Sequence, residues 1–389
     1  MTRSMDPDEP GMDPDELVRL RLRAQMLRGP AAASPEDSLR NLLAVQAQEF
    51  PYARWSLAQR TSSATAADVE QAVADGRILR THILRPTWHF VHRDDLRWLM
   101  ALSAPRLHRG NAGMYRRTGI DAAAAFRGGQ AMAEAVRGGR HLTREQLAAT
   151  LQDAGFEAKG LELVYLIMHA EITGVLASGS PVRSAGGALK QTYALFEERV
   201  PAGPAVPMTR AEALAELVRR YFTSRGPATI KDCADWSGLT MADVRQGLQH
   251  ALDADPAVLA TAVIDGVGFY FGPGMDAGDP TGQARPRIDL VQCYDEYVMG
   301  YSATRHYLGG RAPALPVADA PIHVVLLDGR MIGSWRHTLL PGRCEVDVRL
   351  SASAEPLNAA VESAVARYAA FLGMPAVRVQ PGAKLEAHI

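Results

Sequence analysis

The sequence has little cysteine and no long apolar run, and each shortage excludes a class of protein. Only three cysteines occur in 389 residues, far apart and without a Cys-x-x-Cys pair, so neither a disulfide framework nor a zinc ribbon is expected. We predict that Cys233, Cys293 and Cys344 are buried core thiols. No apolar stretch approaches the roughly 18 to 20 residues that a membrane span needs, so no membrane partner is expected.

The familiar catalytic signatures are missing as well. The chain has no Gly-x-Ser-x-Gly nucleophile elbow, no Walker loop, no dinucleotide fingerprint and no His-Glu-x-x-His motif. Nucleotide-dependent and zinc-protease chemistry are therefore excluded. We expect neither a cofactor nor a metal.

The first 20 residues carry six acids against two arginines, and they lack an apolar core followed by a small-residue cleavage site. This composition differs from that of a secretory or transit peptide. It predicts an acidic flexible tail at residues 1–16 and a cytoplasmic location. The segment MDPDE occurs at both Met5 and Met12, so Met1, Met5 and Met12 are alternative translation starts.

Positive charge is concentrated in one segment although the net charge is only −1. Between Arg77 and Arg117 there are nine arginines and two acids, a local surplus of seven. Because the planar guanidinium suits phosphate oxygens, this segment predicts DNA contact, with Arg80, Arg85 and Arg93 as the main candidates. The alternative is that these arginines lie on solvated helix faces or pair with acids.

The order of predicted elements repeats three times along the chain. Helices are followed by an alternating, β-branched stretch such as THILRPTWHFVH, which predicts a hairpin. The order recurs after capping boxes at Thr143 and Thr209. This is the order of a winged helix, so we predict a mainly α protein with β wings, in the α+β class. The three winged-helix units are expected at residues 17–120, 121–200 and 208–275.

Residues 286–389 differ in kind from these units. They alternate like strands around an Asp328-Gly329 turn and end in a long helix and a last strand, which predicts a C-terminal α+β segment. The stretch RIDLVQCYDEYVMGY is predicted as a strand, where the adjacent Asp295 and Glu296 would point to opposite faces. A structural ion pair or turn is favoured there over a catalytic carboxylate pair.

Two glutamines remain as candidates for chemistry. Gln46 and Gln48 are predicted near the C-terminal end of a helix that Ser34 and Pro35 open, and Pro51 is expected to keep Phe50 out of a helix. On composition alone, both amides would face solvent. If the backbone becomes extended, residues i and i+2 point the same way and two amides can grip one small molecule.

A close histidine pair is the last candidate. On a predicted strand, His89 and His92 lie an odd number of positions apart, so their rings point to opposite faces and a shared metal site is disfavoured. One ring is expected to pack inside while the other faces DNA or water.

Several blocks of sequence together resemble a known family, the AlkZ-type winged-helix DNA glycosylases of bacteria. The blocks, within roughly Leu17 to Gln380, are LLAVQAQEFPYARWSLAQR, LRTHILRPTWHFVHRDDLRWL, RGPATIKDCADWSGL, YDEYVMGY and VVLLDGRMIGSWR. The resemblance implies three tandem winged helices around a DNA channel. It also implies a catalytic Gln-apolar-Gln motif, which is Gln46-Ala47-Gln48 here; another branch of the family has Gln-apolar-Asp.

The resemblance implies a DNA repair enzyme. The amide side chains of its two glutamines limit which damaged bases it can remove. A glutamine does not ionise in the working range, but it can hold a water, which suffices when the leaving group is already good. Guanine alkylated at a ring nitrogen is cationic and departs neutral. We therefore expect bulky cationic alkylguanines in double-stranded DNA as substrates, Gln46 and Gln48 as catalytic residues, and His89 as a candidate neighbour.

The resemblance also implies unhooking of interstrand crosslinks and self-resistance to a genotoxic natural product. We expect a monomer. The competing hypothesis is a non-catalytic winged-helix transcriptional regulator, although such proteins usually carry one winged helix per chain and a dimerisation helix.

Overall fold

The structure is a computed structural model that describes residues 12–184, 187, 189–203, 206–275, 286–309, 323–351 and 355–379. Most of the predicted acidic tail, residues 1–11, lies outside this description, and the prediction of a flexible tail as far as residue 16 is wrong because Asp13 caps a helix that begins at Pro14. No helix in the described ranges is long and apolar enough to cross a membrane.

The helices, in chain order, are α1 (Pro14–Ala24), α2 (Pro35–Leu42), α3 (Phe50–Ala58), α4 (Ala66–Ala74), α5 (Arg93–Arg117), α6 (Ala122–Val136), α7 (Arg144–Asp153), α8 (Gly160–Ile172), α9 (Phe196–Arg199), α10 (Arg210–Arg225), α11 (Ile230–Ser237), α12 (Met241–Ala254), α13 (Glu296–Met299) and α14 (Asn358–Leu372). The strands are β1 (Ala44–Gln46), β2 (Ile78–His82), β3 (Trp88–His92), β4 (Leu142–Thr143), β5 (Leu176–Ser178), β6 (Val182–Arg183), β7 (Leu189–Lys190), β8 (Thr192–Leu195), β9 (Ala260–Ile264), β10 (Val267–Phe271), β11 (Ile288–Val291), β12 (His323–Leu327), β13 (Arg330–Leu340), β14 (Arg343–Leu350) and β15 (Ala376–Val379).

The chain divides into two compact units, and each is assembled from separate stretches of sequence. Unit 1 consists of Met1–Leu42, Glu49–Ala67 and Ala215–Ile389, and unit 2 consists of Leu43–Gln48 and Asp68–Leu214. The short stretch that contains both candidate glutamines therefore belongs to unit 2, although the residues on either side of it belong to unit 1.

A three-stranded antiparallel sheet in the order β1-β3-β2 carries this stretch in unit 2. The predicted hairpin is present as β2 and β3, and β1 adds to the other edge of β3. Helix α5 follows β3 without a loop, and the His92 side chain accepts a hydrogen bond from the Asp94 N–H at its start. Sheet and helix together position the arginine-rich segment.

The expected helix through the glutamines is wrong in its length. Helix α2 ends at Leu42, and Leu43 adopts a left-handed φ of +64°, which stops a helix of L-residues. Gln46 is instead extended and paired with β3. The expectation for Phe50 is also wrong: α3 begins there, because Pro51 lies in the first turn, where its missing N–H leaves no helical hydrogen bond unmade.

The rest of unit 2 follows the predicted order of elements. The capping box at Thr143 is present, with reciprocal hydrogen bonds to Gln146 at the start of α7. Helices α6, α7 and α8 pack on the sheet β4-β8-β5 around an apolar core. The buried side chains of this core include Met132, Leu147, Leu151, Leu166 and Leu176.

Unit 1 contains a five-stranded sheet in the order β11-β12-β13-β14-β15, antiparallel except for its last pair, with α14 in contact with it. The hairpin of β9 and β10 follows helices α11 and α12, as predicted. One expected strand is shorter: β11 ends at Val291, and Asp295 caps the short helix α13. Cys233, Cys293 and Cys344 are buried thiols, as predicted.

Candidate active site

Gln46 lies on one face of the sheet in unit 2, in a row that crosses all three strands. It is opposite His89 on β3, and His89 is opposite Thr81 on β2. Directly opposed residues on neighbouring strands point to the same face, so the three side chains are neighbours. Gln46 is only 3% exposed, and the other two are fully buried. The candidate amide is therefore part of a built interior, not a solvated surface.

Arg85, in the turn between β2 and β3, completes this row. Its Nη2 donates to Gln46 Oε1 at 2.7 Å and lies 3.5 Å from His89 Nε2. His89 Nδ1 lies 2.9 Å from the carbonyl oxygen of Thr87, which can only accept, so Nδ1 carries a proton and Nε2 is the ring nitrogen beside Arg85. A cation, an amide and an imidazole thus meet at one point.

Gln48 lies just beyond the end of β1 and is exposed. Extended pairing continues to Ala47, whose N–H donates to the Trp88 carbonyl at 2.7 Å. The Gln48 side-chain oxygen accepts from the Trp88 N–H at 3.4 Å. The extended pairing therefore reaches one residue beyond Gln46, and the chain bends at Gln48, so the backbone expected for two cooperating amides is present as far as Ala47.

Arg80 is placed differently from the other candidate arginines. It is 7% exposed, and its Nε and Nη2 donate to the carbonyl oxygens of Ala47 and Gln48 at 2.8 and 3.2 Å. Its guanidinium lies 4.3 Å from the centre of the Trp88 ring. Burial lowers the pKa of Arg80 to about 10, so the group stays charged at neutral pH. Such contacts suit support of the motif better than contact with phosphate.

Arg93 is the most accessible of the three predicted phosphate contacts. It begins α5, and its side chain is 43% exposed, with Nε 3.8 Å from the Asp94 carboxylate. The three arginines of the sequence prediction thus fall into three environments: Arg80 is buried, Arg85 is half-buried beside Gln46, and Arg93 is exposed.

The neighbouring carboxylates Asp295 and Glu296, in unit 1, are structural ion pairs, as the sequence favoured. Asp295 accepts from Arg60 at 2.6 and 3.0 Å, and Glu296 accepts from Arg225 and from the Trp236 indole, both at 2.7 Å. Both carboxylates and both arginines are fully buried. These partners are remote in sequence, and no spacing rule could have identified them.

Sequence reasoning missed a second polar cluster in unit 1. The ligand-capable atoms of Glu49, Cys293 and His323 lie within 4.8 Å of one another. The Cys293 N–H donates to His323 Nδ1 at 3.2 Å, so Nε2 carries the ring proton and faces Glu49 Oε2 at 3.4 Å. A metal at Nε2 would need that nitrogen deprotonated while Nδ1 still accepts, which does not suit a neutral imidazole. The cluster fits a histidine–glutamate pair instead.

Burial controls the charges of that pair. It raises the pKa of Glu49 to about 7 and, together with the nearby His337, lowers the pKa of His323 to about 3. The Tyr52 ring lies against His323 with ring centres 3.7 Å apart. Sequence reasoning did not find this cluster because its members come from three separate parts of the chain.

Comparison with known proteins first gives the class of the fold. The structure is similar to the Streptomyces sahachiroi DNA glycosylase AlkZ, with a TM-score of 0.68 and 21% sequence identity over 95% of this chain and 100% of that chain. At that identity the likeness shows the α+β fold. A search of curated protein sequences finds no match.

The family assignment comes from sequence. The family described as DNA glycosylase AlkZ-like matches residues 39–371, a range that includes Gln46, Gln48 and the arginine-rich segment. This chain therefore belongs to the AlkZ-like DNA glycosylases and is a DNA repair enzyme that acts on DNA. The resemblance seen in the sequence blocks is confirmed, and the hypothesis of a non-catalytic regulator is set aside.

Proposed function

We propose that this enzyme hydrolyses the N-glycosidic bond of bulky, cationic alkylguanines in double-stranded DNA. The observation that carries the proposal is the buried Gln46 amide, hydrogen-bonded to Arg85 and opposite His89. Neither the amide nor the guanidinium is an acid that could protonate a poor leaving group. They suit a base that is already positively charged and leaves as a neutral molecule.

Each group has a defined part in the proposed reaction. The Gln46 carbonyl has two lone pairs, so it can accept from Arg85 and from a water at the same time. As the bond between C1′ and the base breaks, its electron pair neutralises the alkylguanine and leaves an oxocarbenium ion. The water oxygen bonds to C1′, and the proton that it releases passes to solvent, while His89 lies beside Arg85 as a neighbour of the reacting groups. Positioning and electrostatics then supply the catalysis.

Gln48 and Arg85 join this site to the DNA. Gln48 is exposed at the end of the strand, where its amide can hold the same water or a sugar oxygen. The positive charge of Arg85 would oppose an oxocarbenium ion unless an anion offsets it. A DNA phosphate is that anion, so the same arginine serves Gln46 and the substrate backbone. Arg93 is proposed as a further phosphate contact because of its exposure.

We also propose the finer features that the resemblance implies. The hairpins β2–β3 and β9–β10, each preceded by helices, support the three winged-helix units and their boundaries. The DNA channel, the monomeric state, the unhooking of crosslinks and the protection of a producing bacterium stay predictions that rest on the resemblance. The bulk of the adduct depends on channel shape and is left to experiment.

The test is excision from duplexes that each carry one defined lesion. Ring-nitrogen alkylguanines of increasing size are compared with uracil, and alkaline heating converts each abasic site into a strand break. We expect cleavage at the cationic adducts and none at uracil, because amides cannot activate a poor leaving group. Equal cleavage at uracil, or none at cationic adducts of any size, would refute the substrate class.

A further inference from the structure

We infer that Arg80 is a positioning residue of the active site, whose guanidinium fixes the Gln46-Ala47-Gln48 backbone from behind. The inference rests on the proposed function of the two glutamines. It replaces the sequence prediction that Arg80 contacts a DNA phosphate, and it gives that residue an effect on catalysis without contact to the substrate.

The first support is the reach of Arg80 across the sheet. In the order β1-β3-β2, Arg80 lies on β2, and strand β3 separates it from β1, which ends in the first residue of the motif. Its side chain nevertheless reaches two successive backbone carbonyls, those of Ala47 and Gln48, through two different nitrogens. Strand β1 ends at Gln46, so these hydrogen bonds fix the backbone where the regular strand has stopped.

The second support is that other residues of unit 2 hold Arg80 itself in place. Its backbone N–H donates to Ser178 Oγ at 2.8 Å, and its Nη1 donates to the side-chain oxygen of Gln191. Its charged plane stacks on Trp88. A guanidinium with these contacts at 7% exposure has little surface to offer a phosphate.

Trp88 is in turn fixed by a histidine that contacts a buried carboxylate. The His82 ring lies 4.6 Å from the Trp88 ring, and His82 Nδ1 is 2.6 Å from the buried Glu171 carboxylate. The indole is therefore enclosed between Arg80 and a paired histidine. Packing of this kind limits the rotamers of Arg80 and makes its two hydrogen bonds to the motif precise in direction.

The chemistry of arginine explains why this position needs it. The guanidinium is a rigid fork whose nitrogens can bind two carbonyls at fixed spacing, whereas a lysine ammonium is a single point charge on a flexible stem. A shift of about 1 Å in a catalytic group can cost about 10²-fold in rate. Loss of the fork is therefore expected to slow excision while DNA affinity stays the same.

The experiment compares Arg80→Met and Arg80→Lys with a matched control, Arg137→Met, which removes an exposed arginine of the same unit. Three quantities are measured: the single-turnover excision rate on a cationic alkylguanine duplex, the salt dependence of DNA affinity, and hydrogen exchange of the amides from Ala44 to Gln48 without DNA. For Arg80→Met we expect a rate about 10²-fold lower, an unchanged salt slope and faster exchange. Arg80→Lys should lie between Arg80→Met and wild type.

Other outcomes refute the inference separately from the proposed function. A salt slope lower by about 0.9 with unchanged exchange would make Arg80 a phosphate contact after all. A wild-type rate in Arg80→Lys would show that the fork is not needed, and this variant decides the question if Arg80→Met does not fold. If wild type fails to excise the adduct, the proposed function fails, while the exchange measurement still judges whether Arg80 fixes the motif.

Discussion

Two buried polar regions of the molecule differ in whether their central group carries a charge. In unit 1, Asp295 and Glu296 are fully buried, and each is paired with an arginine that is also fully buried. In unit 2, the buried group at the centre is an uncharged amide, Gln46, and its cation Arg85 is half-buried. The region with the most buried charge is thus structural, and the proposed catalytic site is the one built around an uncharged group.

The physical reason is saturation of the carboxylates. The Asp295 oxygens accept from Arg60, from the Ser56 hydroxyl and from the Tyr297 N–H, so they are committed to the fold. Removing one partner of a buried ion pair leaves the other charge uncompensated and costs about 3 to 5 kcal/mol. An amide such as Gln46 can gain or lose a water at far smaller cost.

The largest effect should therefore come from Asp295→Ala, and it should fall on stability. We expect the free energy of unfolding in urea to drop by about 3 to 5 kcal/mol, because Arg60 is left buried without its partner. Glu134→Ala is the matched control, since its ion pair with Arg137 is exposed and such pairs contribute about 1 kcal/mol or less. A loss no larger than that of the control would contradict the structural role.

Gln48→Ala should give the opposite pattern. The rate of excision should fall by about 10²-fold, the scale of one lost catalytic hydrogen-bonding group, with the unfolding free energy nearly unchanged because the residue is exposed. Gln48→Asp should retain part of the activity, because a carboxylate can hold the same water. Gln152→Ala, an exposed glutamine on α7, should leave the rate intact. If Gln48→Ala lowered the unfolding free energy and left the excision rate unchanged, Gln48 would be a structural residue and not a catalytic one.

Glu49→Gln should change how the free energy of unfolding depends on pH. The folded-state pKa of Glu49 is about 7, above its ordinary 4.5, so folding binds its proton more tightly and wild-type stability falls as pH rises through this range. The glutamine variant lacks this loss. Near pH 4.5 the free energy of unfolding of this variant should match that of wild type. Above pH 7 it should exceed that of wild type by about 1 to 3 kcal/mol.

The measurement is urea unfolding of both proteins at the two ends of that range. The lowered pKa of His323 makes stability fall as pH drops below its ordinary 6.5, but it does so in both proteins and cancels in their difference. A difference between the two proteins that is independent of pH would show that Glu49 does not titrate in this window.

The smallest effect is expected for Arg93→Met. Loss of one phosphate contact should lower the slope of log affinity against log salt by about 0.9. Salt titrations on an undamaged duplex measure it. An unchanged slope would give Arg93 a structural role, and a slope change for Arg80 instead of Arg93 would exchange the assignments of the two arginines.

Local patterns predicted those parts of the fold that depend on local interactions. The alternation in THILRPTWHFVH identified the hairpin, and Thr143 identified the start of α7, because both signals act within a few residues. The end of α2 could not be read in this way. Its apolar sequence is compatible with a longer helix, and the pairing of Gln46 with His89 that ends it is a long-range contact.

The sequence predicted which residues form the candidate site, but it did not predict how their side chains are arranged. The family blocks identified Gln46 and Gln48, but a cluster of arginines does not reveal which side chains turn inward. Arg80 lies on the same face of the hairpin as the buried Phe90, which faces it across the strands, whereas Arg93 begins a helix at the surface. Only the folded arrangement separates a buried arginine that contacts the motif backbone from an exposed one at the start of a helix.

The most direct test of the central claim is the excision rate of the double variant Gln46→Ala/Gln48→Ala on a duplex with one bulky ring-nitrogen alkylguanine. Affinity for the same duplex and the urea midpoint serve as controls for binding and folding. The account predicts excision slower by about 10²-fold or more, with affinity near that of wild type and a urea midpoint lowered only by the loss of the buried Gln46 hydrogen bond. Excision at the wild-type rate would contradict it.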